Sequence, residues 1–270
     1  MSTRIAALPM YDFPELRAAH DAFWHALQNA LVERGVADVP LHLSHELPYR
    51  EGWRNASLLF GQACEYPIAK SFGDVLTLVA TPVYAAPGCE GAFYRSAIIA
   101  RGEDQGDTLA EFRGRRCAVN AMDSNSGMNL LRAAIAPLAH GMPFFGSVLV
   151  SGSHLRSLEM VARNEADIAA IDCVTFAHLQ QLHPALVAQV KVLCWTPASP
   201  NLPYVTARAT DERTLGALRS ALAAVVSDRL SRPICERLLL KGVDLRPDMS
   251  LKRPRELETG AAELGYPELA

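Results

Sequence analysis

A chain of 270 residues with 26 basic and 29 acidic side chains has a formal net charge of −3, and 50% of its residues are hydrophobic against 20% charged. That balance supplies apolar material for more than one ordinary core, and it excludes the basic surface that nucleic acid or an anionic membrane would demand. An anionic guest would have to be held by local groups, because the overall field does not attract it.

Met1-Ser2-Thr3-Arg4-Ile5 runs directly into a strand-like segment, Arg4 to Leu8, with no basic n-region, apolar h-region or small-residue cleavage site. No stretch approaches the roughly 20 apolar residues of a membrane span. As it stands the sequence is expected in the cytoplasm, and in the periplasm if the true start lies upstream. A helix is expected from about Pro14 to Arg34, where Pro14 suits a first turn and Leu16, Ala19, Phe23, Leu27, Ala30 and Leu31 recur at helical spacing. Strands follow at Val39 to Leu43, Val75 to Thr81 and, after the aromatic loop Gly91-Ala92-Phe93-Tyr94, Ser96 to Arg101.

The polar segment Gly102 to Gly106 reads as a linker into a second unit. There Arg116 to Asn120 is an expected strand, Asp123-Ser124-Asn125-Ser126-Gly127 a turn, and Met128 to Ala139 a helix. Val148 to Val150 is a strand before the turn Ser151-Gly152-Ser153-His154, which opens a helix to about Asn164. Asp167 to Ile171 is a buried strand ending at Asp172, and a helix from Val174 to Leu182 stops at His183-Pro184. Val190 to Trp195 leads through a proline-rich crossover, Thr196 to Pro203, into a strand at Tyr204 to Arg208. Helices are expected over Glu212 to Leu230 and Pro233 to Lys241, and the polar last twenty residues are expected to pack loosely. The alternation of strands and helices implies an α/β fold. It divides into a first lobe, 1–102 plus 196–270, and an inserted second lobe, 103–195, joined by two crossings that form a hinge.

The turn Val119 to Gly127 joins a strand to a helix. Helix starts leave backbone N–H groups unpaired and carry about half a positive charge. Ser124 and Ser126 add hydroxyls, Asn125 an amide, and Gly127 permits close approach of a guest. Together they make an anion cradle that needs no lysine. The plainer alternative is that Ser124 or Ser126 only caps the helix. Ser153 is a good cap for the next helix, and His154 in its first turn could donate to the same anion. If both turns sit at the carboxyl ends of parallel strands, they face one crevice. Asp172 could accept from a ligand's amine or hydroxyl, or simply cap the helix near Val174. Tyr11, Tyr84, Tyr94, Arg95 and Tyr204 lie near loop ends, where tyrosine offers an apolar wall with one hydroxyl and arginine a bidentate grip.

Other signals fail on spacing. The six cysteines, at 64, 89, 117, 173, 194 and 235, contain no C-x-x-C pair, and nothing adjacent in sequence would activate Cys64 or Cys89. His42 and His45 fall on opposite faces of an extended strand, a poor metal site. Asn55-Ala56-Ser57 matches a glycosylation sequon but lacks a secretory context. No phosphate loop, dinucleotide fingerprint or nucleophile elbow occurs. No cofactor or metal is expected, and no catalytic residue is assigned.

In order and spacing, the Asp123–Gly127 turn, the Gly152-Ser153-His154 turn, Ala166-Asp167-Ile168-Ala169-Ala170-Ile171-Asp172 and Leu202-Pro203-Tyr204-Val205 resemble landmarks of the phosphonate/phosphate-type solute-binding proteins of ABC transporters. The similarity spans roughly residues 75 to 208. It implies a two-lobe type II periplasmic-binding-protein fold with a ligand cleft between the lobes and hinge closure on the ligand. It also implies that Ser124, Asn125, Ser126 and Gly127 hold the oxyanion and that His154 assists. Asp172 would contact the ligand's other end, and Tyr94, with Tyr11 as an extension, would line the pocket. The family turn carries Ser-Thr-Ser, and here Asn125 holds the middle position. The expected function is therefore binding of a phosphonate, phosphate ester or carboxylate for transport or sensing, with an ABC permease or another protein as partner and no nucleic acid or membrane insertion. The alternative is a cytosolic enzyme on the same scaffold, like the chorismate-dehydrating enzymes, eliminating water from a small carboxylate with Asp172 or His154 as general base. A ligand-gated regulator that binds another protein is a third reading.

Overall fold

The computed structural model describes residues 4–245 and 251–270, so the first three residues of the expected start lie outside the described residues. In chain order the strands are β1 (Ile5–Ala7), β2 (Leu58–Gln62), β3 (Leu76–Tyr84), β4 (Phe93–Tyr94), β5 (Ser96–Arg101), β6 (Arg116–Val119), β7 (Ser147–Val150), β8 (Ile168–Asp172), β9 (Val190–Trp195), β10 (Ser199–Pro200), β11 (Tyr204–Ala207) and β12 (Leu240–Asp244). The α-helices are α1 (Arg17–Glu33), α2 (Tyr49–Arg54), α3 (Glu65–Pro67), α4 (Leu130–Ala139), α5 (His154–Ala162), α6 (Cys173–Leu182), α7 (Pro184–Val187), α8 (Glu212–Ser227), α9 (Arg232–Arg237) and α10 (Lys252–Glu263). They form two compact units, Met1–Ala85 with Pro200–Ser250 and Ala86–Ser199 with Leu251–Ala270.

The first unit is built on a sheet of order β1-β2-β11-β3-β12. Helix α1 buries Phe23, Trp24, Leu27 and Leu31, a stripe at the 3–4 residue spacing that puts side chains on one face. Trp24 stacks on Phe60 of β2 with ring centroids 6.0 Å apart, and Phe60 stacks on Tyr204 of β11 at 5.0 Å. The expected strand at Val39 to Leu43 is absent. Pro40 has no amide to offer a ladder, its carbonyl accepts from Trp24 Nε1 at 3.1 Å, and Leu41 is 71% exposed. The strand beside β1 is instead the wholly buried Leu58–Gln62, in parallel register. The expected helix through Lys241 stops at Arg237. Leu239 takes a positive φ of 55°, and the chain turns into β12, which pairs antiparallel with β3.

The second unit is built on a sheet of order β7-β6-β8-β5-β9. Strand β6 is parallel to both β7 and β8, whereas β5 is antiparallel to β8 and β9. Every residue of β8 is buried, as are the first five of β5. Such continuous apolar runs fit strands covered on both faces. Because β5 fills the gap between β8 and β9, the unit begins at Ala86, ahead of the expected boundary at 102/103. The polar segment after it belongs to the same unit, with Gly102 N–H donating to Gln189 O at 2.8 Å and Arg115 paired to Asp104 at 2.7 Å. The later boundary falls at 199/200, inside the proline-rich crossover.

The last twenty residues also return to this unit, and they do not pack loosely. Helix α10 lies on α4, Asn129 Nδ2 donates to Pro254 O at 3.0 Å, and Arg132 Nη1 donates to Pro267 O at 2.7 Å. The carbonyl of Ala270 accepts from the amides of Phe144 and Phe145 at 2.6 and 2.9 Å. The polar composition hid the spaced, buried Pro254, Leu257 and Ala261 on one face of α10.

Candidate functional site

Three turns of the second unit share one end of its sheet, because β6, β7 and β8 run parallel and each turn follows a strand's carboxyl end. They are the turn at Ser124–Gly127 after β6, the turn at Ser151–His154 after β7, and Asp172 closing β8. This is the arrangement in which open α/β sheets place ligands.

The first turn leads into a wide helical turn, Asn125–Asn129, that continues into α4. Ser124 is its cap: the residue is extended, with φ −74° and ψ 133°, and its Oγ accepts from Gly127 N–H at 3.0 Å. Accepting leaves the Ser124 hydroxyl proton to point elsewhere. Ser126 Oγ lies 3.3 Å from Ser124 Oγ, so two hydroxyls sit together over the start of a helix. The Ser126 carbonyl accepts from Ser96 Oγ of β5 at 3.0 Å, which ties the turn to an inner strand of the sheet. A Cβ on Gly127 would displace the Asn120 side-chain amide, which lies against the turn there.

Asn125 does something other than expected. Its side chain is fully buried, with Nδ2 donating to Tyr94 OH at 3.1 Å and to Ser199 Oγ at 2.9 Å, while Oδ1 accepts from Asn129 Nδ2 at 2.9 Å. Its side-chain amide is directed into the protein and anchors the turn from behind. Tyr94 is likewise fully buried, and its hydroxyl serves Asn125.

His154 opens α5, capped by Ser153 Oγ, which accepts from Arg156 N–H at 3.1 Å. Its Nε2 lies 2.8 Å from Ser126 Oγ. Burial pushes the ring's pKa down to about 4, with the Ala170 carbonyl opposing the shift. The ring is therefore neutral near pH 7 and supplies no positive charge. Nε2 and Ser126 Oγ share one hydrogen bond, whose donor is set by the ring's tautomer.

Asp172 is 1% exposed, and its Oδ1 accepts from the amides of Val174 and Thr175, both at 2.9 Å. It is the N-cap of α6. Tyr11 belongs to the first unit, where it is buried edge-on against Tyr84 with centroids 5.5 Å apart. Arg95 donates from Nη1 to Thr196 O at 2.9 Å and, with Gly88, Glu90, Phe93 and Ala198, lines a pocket of about 220 Å³.

The structure thus gathers Ser124, Asn125, Ser126, Gly127, His154 and Tyr94 into one hydrogen-bonded group within the second unit. Ser96, Asn129 and Ser199 complete it and were missed. Only Asn129 carried a signal, its four-residue spacing from Asn125 along a helix. His45 is committed elsewhere, with Nδ1 2.9 Å from Asp12 and Nε2 3.0 Å from Asp21. Among the described residues no group of three His, Cys, Asp or Glu could hold a metal ion, and no helix is long and apolar enough to cross a membrane.

Comparison with known proteins identifies the family and the fold. Residues 5–245 match the family described as ABC transporter, phosphonate, periplasmic substrate-binding protein. A binding-protein component of an ABC phosphonate transporter from Pseudomonas aeruginosa is similar in structure at a TM-score of 0.76 and 17% identity, covering 97% of this chain and 88% of that one. PhnD1 of Prochlorococcus marinus, solved in complex with methylphosphonate, gives 0.75 at 13% identity, covering 97% and 99%. A Xanthomonas citri protein solved with chloride gives 0.72 at 16% identity, covering 97% and 99%. These likenesses establish the type II periplasmic-binding-protein fold. No curated protein matches the sequence.

Proposed function

Because the chain belongs to the phosphonate ABC-transporter family of periplasmic substrate-binding proteins, we propose that it binds the oxyanion end of a small phosphonate, phosphate ester or carboxylate at the Ser124–Gly127 turn, and delivers that ligand for transport or sensing. The observation that carries this reading is the pair of hydroxyls, Ser124 and Ser126, held 3.3 Å apart at a helix start whose amides favour negative charge. The turn is locked from beneath by Asn125 and from the side by His154, so its donors are ordered before a guest arrives, which limits the entropy lost on binding. The loaded protein's partner would be the permease of an ABC transporter. Elimination chemistry finds less support. Asp172, one of the two candidate bases, has an oxygen occupied in capping α6, and the other, His154, is paired to Ser126.

The test is calorimetric titration of the full chain with methylphosphonate, inorganic phosphate, a phosphate monoester and a dicarboxylate. At least one should bind and be recovered unchanged after long incubation. A hydrogen bond to a charged group contributes about 1.5–3 kcal/mol, so Ser126→Ala should weaken that ligand by roughly tenfold or more. Undiminished affinity in both Ser124→Ala and Ser126→Ala, or consumption of the ligand, would overturn the reading.

A further inference from the structure

Two cysteines of the second unit, 84 positions apart in sequence, meet at the start of α6: Cys89 Sγ and Cys173 Sγ are 3.4 Å apart. The contact is imposed by the backbone. Cys89 sits in a tight turn, its amide donating to Ala86 O at 3.0 Å, and Gly88 adopts a φ of +95° that other residues rarely tolerate. A Cβ on Gly88 would lie 2.6 Å from the Trp195 ring and 3.0 Å from Cys173 Cβ, so the turn is pressed against the helix start as closely as a glycine allows. Cys173 is itself held, as first residue of α6, by its amide donating to Arg95 O at 3.2 Å. The two sulfurs differ in access. Cys89 is half-buried, and its neighbour Gly88 lines the open pocket with Glu90, Phe93 and Arg95, whereas Cys173 is 1% exposed.

We propose that Cys89 and Cys173 form a redox-responsive dithiol, with Cys89 as the sulfur that meets a hydroperoxide and Cys173 as the one that resolves it into a disulfide. In the first step the Cys89 thiolate attacks a peroxide oxygen and the O–O bond breaks. Cys89 becomes a sulfenic acid, and the departing oxygen leaves as water, or as the alcohol of an organic peroxide. In the second, the Cys173 sulfur attacks Cys89 Sγ, the S–O bond breaks, and the hydroxide leaves with the Cys173 proton as water. Two thiols lose two electrons and the peroxide gains them. The order follows from access and from protonation. The hydrogen bond with Cys89, burial and the Asp172 carboxylate all raise the Cys173 thiol far above its ordinary pKa, so it does not react first with an external oxidant. The sulfurs need to close only from contact distance to the roughly 2.05 Å of a disulfide. The bridge would tie the Ala86–Gly91 turn to the first residue of α6, beside Asp172.

The experiment treats the reduced full chain with equimolar hydrogen peroxide, blocks remaining thiols by alkylation, and maps peptides by mass spectrometry. The expected product has lost two hydrogens, contains a peptide linking Cys89 to Cys173, melts at a higher temperature and reverts with dithiothreitol. Cys173→Ser should instead accumulate a sulfenic acid at Cys89 that a dimedone probe traps, and Cys89→Ser should show neither product. Oxidation of Cys89 to the sulfinic acid while Cys173 stays reduced, or a crosslink between other cysteines, would overturn the proposal. Mapping of the wild-type chain decides it even if a variant fails to fold.

Discussion

At the scale of single residues, the Ser124–Gly127 turn is anchored by Asn125, whose side chain hydrogen-bonds Tyr94, Ser199 and Asn129 in a fully buried environment. Leaving a buried polar partner unsatisfied costs roughly 1–3 kcal/mol. Asn125→Ala takes one hydrogen-bond partner each from Tyr94 OH, Ser199 Oγ and Asn129 Nδ2 at once, so unfolding in urea should show a loss of about 3 kcal/mol. A loss below about 0.5 kcal/mol, the range of a surface substitution, would mean that the side chain is not an anchor. The same residue marks what a sequence leaves illegible. That the turns after β6 and β7 would come together, Ser126 Oγ 2.8 Å from His154 Nε2, was legible because both follow parallel strands at their carboxyl ends. The direction of each side chain was not, since neighbouring residues in a tight turn point to opposite sides. Asn125 was therefore grouped with the donors to the guest, whereas it faces Tyr94, and Ser199 lay unmarked in a proline-rich stretch.

At the scale of elements, the question is how α6 is started. Asp172 Oδ1 accepts from two first-turn amides, which satisfies orphan donors and places a negative charge at the positive end of the helix. Asp172→Ala should therefore lower the stability of the ligand-free protein by about 1–2 kcal/mol. Asp172→Asn, whose amide oxygen can accept the same bonds, should retain most of it. If denaturant curves of the two variants coincide, the cap is not what Asp172 contributes. Elements with a strong local signature were legible: α1, β6, β8, α6 and α8 lie close to where periodicity and turn residues put them. Those set by distant partners were not. β12 exists because β3 offers it an edge, and α10 because Asn129, just before α4, and Arg132 within it donate to its carbonyls and to those beyond it. Neither cause is written near the residues that respond to it.

At the scale of the whole molecule, the two units share an electrostatic feature, a buried histidine kept neutral. In the first unit, burial pushes the His20 pKa down to about 4 against the opposing charge of Asp12 and Asp21, with the nearby His45 adding to the depression. In the second, burial does the same to His154. For each, the unfolded chain binds a proton near pH 6.5 that the folded chain refuses until about pH 4. The unfolded state thus holds more protons across that window, and stability must rise with pH through it and fall as pH drops. For His20 alone, lowering the pKa from 6.5 to about 4 amounts to about 3 kcal/mol lost once the solution is more acid than pH 4. His45 works in the opposite sense. Although partial burial opposes it, hydrogen bonds to Asp21 and Asp12 raise its pKa, so its contribution is present below pH 6.5 and fades as pH rises through the elevated value. Below pH 4 the Asp167 carboxylate, held low by Arg116, adds a second acid loss. Urea denaturation at pH 4.5 and pH 7 should therefore show the wild type markedly weaker in acid. His20→Leu, which keeps the volume apolar and removes the titration, should narrow that difference. An unchanged difference in His20→Leu would mean that the ring accepts its proton in the folded state as readily as in the unfolded one.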